Sequence, residues 1–232
     1  MESLQARDSL AALAIRPAVV TIDLHRGHLD PEVATLPLPA DAAAALMQRV
    51  VPLLDRLRAL NVPVIHVVTS YRNRDEILSN PYWRFQANRA DSARAMIAEH
   101  QLEGLPGLDL MPGVYRDGDA VVITKKRYDC LLGTDLEMVL HAGGHDSLLV
   151  MGVNTNSCVL ATSVSGSVRD YAVFVIEDGV DTMLERRLHD AALAVIDASF
   201  GWVVSVTTLL DVLTERSASA PTAPGWAPTA PG

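Results

Sequence analysis

Six short runs of apolar, mostly β-branched residues divide the chain, and they constrain its fold more than any other feature. They are AVVTID near 18–23, VPVIHVV near 62–68, AVVITK near 120–125, SLLVMGV near 147–153, AVFVIED near 172–178 and GWVVSV near 201–206. Because each run is nearly all apolar instead of alternating with polar residues, it is typical of a strand buried on both faces. The runs therefore predict a mainly parallel, six-stranded sheet.

Helix-like stretches separate these runs. The segment 40–61 has apolar residues at helical spacing, with Asp41 as its expected cap and Pro52 as an expected kink. Segments 133–144 and 181–201 have the same character, and both end on glycine. Strands that alternate with helices predict an α/β fold, a three-layer α/β/α doubly wound sandwich of the Rossmann-like type.

Length and charge limit the function. A chain of 232 residues with 49% hydrophobic and 20% charged residues fits one globular domain, which we place at 1–216. The net charge of -9 predicts that neither nucleic acid nor a membrane is a partner. Two cysteines are too few for a disulfide framework, and no signal peptide is recognised at the N-terminus, so we expect a cytoplasmic protein.

Two segments fall outside the alternation of strands and helices. Residues 71–118 combine one helical stretch with aromatic, arginine and Pro-Gly positions, which is typical of a lid or an oligomer contact inserted into a domain. Residues 217–232 form a low-complexity tail of Pro, Ala and Thr that cannot bury a core. We assign the tail no catalytic role.

Three reactive residues stand at the ends of predicted strands: Asp23, Lys125 and Cys158. Ligands of doubly wound sheets bind beyond the carboxyl ends of the strands. At the first turn of a helix and beside an ammonium group, Cys158 is expected to have a depressed pKa, and Asp23 could take the thiol proton. The three residues supply the nucleophile, base and electrostatic partner of covalent hydrolysis.

Each of these residues alone also fits a structural role, as a packed thiol, a helix cap and a surface charge. Their joint placement favours chemistry. We expect the Lys125 strand to lie between the strands of Asp23 and Cys158, and the backbone N–H groups of Asn154 and Cys158 to form an oxyanion hole.

These motifs resemble the isochorismatase-like cysteine hydrolases, which include nicotinamidases, N-carbamoylsarcosine amidohydrolases, ureidoacrylate and biuret hydrolases, and isochorismatases. The resemblance extends from PAVVTIDLHRG to GWVVSVTTLLDVL. Its carriers are TIDLHRGHLD, EGLPGLDLMPGV, ITKKRYDCLLGTDLEMVL and LLVMGVNTNSCVLATS. It implies Asp23 as the base, Lys125 as its partner, Cys158 as the nucleophile and a cis peptide bond between Val153 and Asn154.

The sequence departs from the family pattern at positions that shape the pocket. DLHRGH stands where DMQNDF is common, so that His25 replaces Gln and His28 replaces Phe. After Tyr128, the residues Asp129 to Leu131 replace Ser, Ala and Phe. Substrate identity therefore stays open.

The cluster of potential metal ligands at Asp23, His25, His28 and Asp30 is expected to bind no metal, because Asp23 is committed to the thiol. The zinc-binding Asp-x-His of nicotinamidase-like members is replaced after the second strand by TSYRNRDE. No cofactor is expected either.

The expected substrate-binding residues are His25, His28, Trp83, Arg84 and Tyr128. The aromatic and arginine residues of 80–89 equally suit a subunit interface.

The predicted function is a cysteine-dependent amidohydrolase that cleaves the C–N bond of a small linear amide, carbamoyl or ureido compound through a thioester. The alternatives are an isochorismatase-type vinyl-ether hydrolase, against which Cys158 argues, and a non-catalytic binding protein on the same fold. The expected partners are a small-molecule amide and further copies of the chain, as a homodimer or homotetramer.

Overall fold

A parallel sheet of six strands forms the centre of the computed structural model, which describes residues 4–219. The strands are β1 (Pro17–Ile22), β2 (Val64–Thr69), β3 (Ala120–Lys125), β4 (Ser147–Val153), β5 (Ala172–Asp181) and β6 (Trp202–Val204). Each apolar run of the sequence forms one strand, and every pairing is parallel. The predicted fold class is confirmed.

Nine α-helices surround the sheet in the described residues. They are α1 (Leu4–Ala12), α2 (Arg26–Leu29), α3 (Ala40–Ala59), α4 (Arg74–Leu78), α5 (Pro81–Ala87), α6 (Leu136–Ala142), α7 (Leu160–Ser167), α8 (Arg186–Ser199) and α9 (Val206–Ser219). In the described range, no helix has both the length and the apolar character to cross a bilayer.

Two helix ends differ from the prediction. The cap of α3 is Pro39, and Asp41 lies within the first turn, where its charge favours the positive end of the helix dipole. Helix α9 continues to Ser219, past the expected start of the tail at 217. The remainder of the tail lies outside the described residues.

Successive side chains of the inner strands face opposite sides of the sheet, which explains why the strands are apolar throughout. Val19 and Leu149 face the side covered by α1, α3 and α9. Val20 and Val150 face the side covered by α6, α7 and α8. Burying each such side chain contributes roughly 1.5–3 kcal/mol, so both faces stabilise the sheet.

The strand order is β3-β2-β1-β4-β5-β6, and it corrects one prediction. Lys125 lies on the edge strand β3, not between the strands of Asp23 and Cys158. The chain runs outward from β1 to β3 and then returns to the other side of β1 as β4. Asp23 and Cys158 therefore flank the switch point of the sheet, where crevices form.

Residues 71–118 contact the carboxyl ends of β1 and β3, where Leu110 pairs with His25 and the Tyr71 hydroxyl donates to the Lys126 carbonyl. They include α4, α5 and two short 3₁₀ turns, Ile97–Glu99 and Pro106–Leu108. A small hydrophobic cluster holds the segment together, formed by Leu36, Tyr71, Ile77, Trp83 and Ile97. The segment thus has its own core beside the crevice, and its role as a lid or oligomer contact stays a prediction.

Candidate active site

Asp23 follows β1 directly and is almost completely buried. Its Oδ1 accepts hydrogen bonds from the backbone N–H and the hydroxyl of Thr69, both at 2.8 Å. Its Oδ2 accepts one from Lys125 Nζ at 2.5 Å. The carboxylate is thus held by the ends of two neighbouring strands.

Lys125 reaches Asp23 across the end of β2. Strands lie about 4.8 Å apart, so the ends of β3 and β1 are separated by roughly 10 Å. The long lysine side chain covers this gap, and Nζ also donates to Thr69 Oγ1 at 2.5 Å. The edge position of β3 is therefore compatible with the predicted contact between Lys125 and Asp23.

Cys158 lies in a π-helical turn, Thr155–Val159, between β4 and α7. Its Sγ is 3.4 Å from Lys125 Nζ, and the residue is 5% exposed. The preceding Val153–Asn154 peptide bond is cis, as predicted. The structure therefore brings Asp23, Lys125 and Cys158 together.

Gly152 allows the end of β4 to approach β1 closely. Its φ is +119°, and a Cβ atom added there would lie 2.1 Å from the carbonyl oxygen of Ile22. Any larger residue would push the two strands apart. Since Ile22 precedes Asp23 and Gly152 lies six residues before Cys158, this approach sets the spacing between base and thiol.

Burial and charge set the ionisation of the site. Burial opposes ionisation of Asp23, but the Lys125 ammonium and His25 hold the pKa of that carboxyl well below its usual range. Burial likewise opposes the charge on Lys125, and Asp23 raises the pKa of the ammonium well above its usual value. The two groups form a buried ion pair.

The expected depressed pKa of Cys158 is wrong for this structure. Burial and the Asp23 carboxylate raise the pKa of the thiol to about 11, although Lys125 lowers it in part. The ammonium is already neutralised by Asp23, so it favours the thiolate less than a free cation would. At neutral pH the resting residue is a thiol.

A small pocket opens beside these residues. Its walls include the expected His28, Trp83 and Tyr128, together with Arg94 and Arg127. The Trp83 indole N–H donates to the Tyr128 hydroxyl at 2.9 Å, and the Arg127 guanidinium lies 5.0 Å from the centre of the Trp83 ring. The pocket thus combines an aromatic wall with cationic groups.

Residues 17–208 match the family model described as the isochorismatase domain. The chain belongs to this family. The predicted membership is confirmed, and it covers the sheet, the residues around the pocket and most of the helices.

Two curated relatives of this isochorismatase-family chain are named as amidohydrolases. Maleamate amidohydrolase of Pseudomonas putida is 25% identical over 190 residues, which cover 82% of this chain and 83% of the relative. Ureidoacrylate amidohydrolase of Methylobacterium radiotolerans is 37% identical over 93 residues, but the match covers only 40% of this chain and 36% of the relative.

Solved structures share the isochorismatase fold. A cysteine hydrolase from Pseudomonas syringae has a TM-score of 0.75 at 22% identity, covering 86% of this chain and 93% of its own. N-carbamoylsarcosine amidase from Thermoplasma acidophilum has a TM-score of 0.64 at 24% identity, covering 83% and 97%. At these identities, the similarity demonstrates the fold.

Two of the expected substrate-binding residues, Arg84 and His25, do not line the pocket of this isochorismatase-family site. Arg84 is exposed and donates to the carbonyl of Leu78 at 2.8 Å, because α5 turns Trp83 inward and its neighbour outward. His25 does not line the pocket; it is fully buried behind Asp23, with Nε2 3.4 Å from Oδ1.

Several residues of this isochorismatase-family pocket were missed in the sequence. Thr69 ends a strand just as Lys125 does. Because ligands bind beyond the carboxyl ends of the strands, this position could have predicted Thr69 from the sequence. Arg127 lies two residues after β3, so its position at a strand end is also a signal, whereas irregular backbone positions Arg94 and His100.

Proposed function

We propose that the protein is an amidohydrolase that cleaves the C–N bond of a small linear amide, carbamoyl or ureido compound, with Cys158 as the nucleophile. The observation that carries the proposal is the contact of Lys125 Nζ with Asp23 Oδ2 at 2.5 Å and with Cys158 Sγ at 3.4 Å beside one pocket. The names of the two curated relatives support the same bond type.

In the first half-reaction, the Cys158 sulfur attacks the substrate carbonyl carbon while its proton passes to Asp23. Since the pKa of the thiol is about 11 and that of Asp23 is well below its usual value, proton transfer is uphill in the resting enzyme. It must therefore accompany C–S bond formation. The Lys125 ammonium stabilises the negative charge as it develops on sulfur.

The tetrahedral intermediate then expels its amine. Asp23 returns the proton to the leaving nitrogen, the C–N bond breaks and a thioester on Cys158 remains. Asp23 next takes a proton from water, whose oxygen attacks the thioester carbonyl carbon. Cleavage of the C–S bond releases the acid and regenerates the thiol as the proton returns to sulfur.

Backbone N–H groups of Asn154 and Cys158 are the proposed oxyanion hole. The Asn154 side chain is already engaged, since its Oδ1 accepts from the backbone N–H of Met183 at 2.7 Å. That bond anchors the residue at the start of the π-helical turn. Each donor aimed at the oxyanion contributes about 3 kcal/mol to transition-state stabilisation.

The pocket favours a substrate that also carries a carboxylate. Arg94 and Arg127 line it, and an arginine guanidinium matches a carboxylate with two parallel hydrogen bonds. Arg127 is held by the carbonyl of Lys126 and by Ser79 Oγ. Within the described residues the Arg94 guanidinium makes no hydrogen bond or ion pair, so we assign substrate pairing to Arg94 first.

The test is ammonia release from a panel of small amides, ureas and carbamoyl acids. The wild type should release ammonia from at least one carboxylate-bearing member, and Cys158→Ala should release none. Cys130→Ala is the matched control, because Cys130 is fully buried and lies outside the pocket lining. Equal release from wild type and Cys158→Ala would contradict the proposal.

Two further expectations from the sequence stay predictions. They are a cytoplasmic location and assembly as a homodimer or homotetramer. Sedimentation of the purified chain measures the second directly.

A further inference from the structure

Three buried histidines meet beside the pocket, and none of them transfers a proton or forms a bond in the proposed hydrolysis. His25 and His28 come from the loop and short helix after β1, and His100 follows the 3₁₀ turn Ile97–Glu99. One ring nitrogen of each lies within 4.8 Å of the others. The rings of His25 and His28 stack at 5.1 Å, and those of His28 and His100 are 4.6 Å apart.

Each histidine has an outer partner on one ring nitrogen. Nδ1 of His28 donates to the Leu36 carbonyl at 2.7 Å, and Nδ1 of His100 is 2.8 Å from Thr35 Oγ1. Nε2 of His25 faces Asp23 Oδ1 at 3.4 Å. A carbonyl, a hydroxyl and a carboxylate are the groups that orient metal-binding histidines, because they fix the tautomer and leave the other nitrogen as a ligand.

We propose that His25, His28 and His100 bind a divalent transition-metal ion of the Zn²⁺ type. Imidazole nitrogen suits such ions, and three protein ligands leave one position open in a tetrahedral site. With Zn–N bonds of about 2.0–2.1 Å, ligand nitrogens lie roughly 3.4 Å apart, so side-chain movements of about 1 Å close the site.

The site would border the substrate pocket. His28 and His100 both line that pocket, so the open coordination position is accessible to water or to a polar group of a substrate. Asp30, the acidic residue considered from the sequence, is not part of it, because its Oδ2 accepts from Arg26 Nε at 2.7 Å. The ligands also differ from an Asp-x-His motif after β2, where Ser70, Tyr71 and Arg72 stand.

Gln101 occupies the remaining face of His25. Its side-chain nitrogen contacts both ring nitrogens of His25, and its Oε1 is buried with no hydrogen-bond partner in the described part of the chain. An ion bound to Nδ1 of His25 must replace the Gln101 amide. Shortening Gln101 should therefore strengthen metal binding, whereas removing a histidine should weaken it.

The experiment titrates the full, chelator-treated chain with Co²⁺ and follows the visible absorption of the bound ion, with Zn²⁺ competition as a second readout. The wild type should bind one equivalent with the intense bands of four- or five-coordinate Co²⁺. His100→Gln should bind at least about 100-fold more weakly, and Gln101→Ala about tenfold more tightly.

His189→Gln is the matched control, because His189 is equally buried but contacts Thr155 Oγ1 away from the cluster. It should bind Co²⁺ as the wild type does. The inference is overturned if the wild type binds no Co²⁺, or if His100→Gln binds it normally. If His100→Gln fails to fold, unchanged affinity in Gln101→Ala overturns it instead.

A further variant separates this inference from the proposed hydrolysis. Cys158→Ala should lose ammonia release and retain Co²⁺ binding. Loss of binding in Cys158→Ala would assign the ion to the thiol and contradict the histidine site, whatever the activity of the wild type.

Discussion

The strand-end triad and the pocket wall are built in different ways. Asp23, Lys125 and Cys158 follow strands of one sheet, and the sheet dictates that their ends converge. The part of the pocket wall that lies in 71–118, which includes Trp83 and Arg94, depends on short helices and turns around a small hydrophobic cluster. We therefore expect chemistry to reside at the strand ends and substrate choice in the irregular segment, because loops vary with less effect on the core.

Asp23→Asn changes the triad, and we expect it to have the largest effect of these changes. The variant removes the proton acceptor and leaves the buried Lys125 ammonium without its anionic partner. We expect kcat/KM for ammonia release to fall about 10³- to 10⁴-fold. Asp30→Asn, in the same loop and bound to Arg26, is the control and should stay within a few-fold of wild type. An Asp23→Asn enzyme within tenfold of wild type would break the triad assignment.

Gly152→Ala should show that the sheet positions the triad. The added Cβ would lie 2.1 Å from the Ile22 carbonyl oxygen, so the strands must separate and the free energy of unfolding should drop by more than about 3 kcal/mol. Gly133 also has a positive φ, but no atom lies within 4 Å of a Cβ added there. For Gly133→Ala we therefore expect the free energy of unfolding to fall by only about 1 kcal/mol. Urea unfolding measures both, and equal losses would contradict the close approach.

The pH dependence of thiol alkylation tests whether the pKa of Cys158 is raised. Because the pKa of Cys158 is raised to about 11, its thiolate fraction should grow about tenfold per pH unit between pH 7 and 9. Burial raises the pKa of Cys130 further still, so that residue should react more slowly. Peptide mapping after iodoacetamide treatment gives both rates. A plateau for Cys158 below pH 8 would restore the depressed pKa first expected.

Trp83→Phe changes the pocket wall, and we expect it to have the smallest effect of these changes. The variant keeps the ring but loses the hydrogen bond to the Tyr128 hydroxyl, worth about 1 kcal/mol, so KM should rise roughly fivefold at unchanged kcat. Arg84→Ala on the same helix should leave both constants unchanged, since Arg84 points away from the pocket. A fall in kcat for Trp83→Phe would show that the pocket wall also affects the chemical step, and it would contradict the assignment of chemistry to the triad alone.

The sequence predicted the sheet well, because a strand buried on both faces must be apolar at every position. It failed on strand order, since β3 is as apolar as the inner strands although Val121 and Ile123 are 42% and 61% exposed at the sheet edge. Apolar composition alone does not separate an edge strand from a central one.

Strand ends place a first group of site residues, which the sequence predicted together with His28, Trp83 and Tyr128 of the pocket wall. Long-range packing places a second group, which the sequence missed. Asp23, Lys125 and Cys158 belong to the first group. His100 and Gln101 belong to the second, because they are brought to His25 from 75 residues or more along the chain by a segment without regular structure. The pKa of Cys158 was missed for a related reason, since it depends on how completely the thiol is buried.

Trapping the acyl-enzyme tests directly whether Cys158 is the nucleophile. A substrate found in the ammonia panel is mixed with enzyme, quenched in acid during turnover and mapped by peptide mass. We expect an acyl adduct on the peptide that contains Cys158, in wild type and in Cys130→Ala, and neither adduct nor turnover in Cys158→Ala. Undiminished turnover in Cys158→Ala, with no adduct on the Cys158 peptide of the wild type, would contradict it.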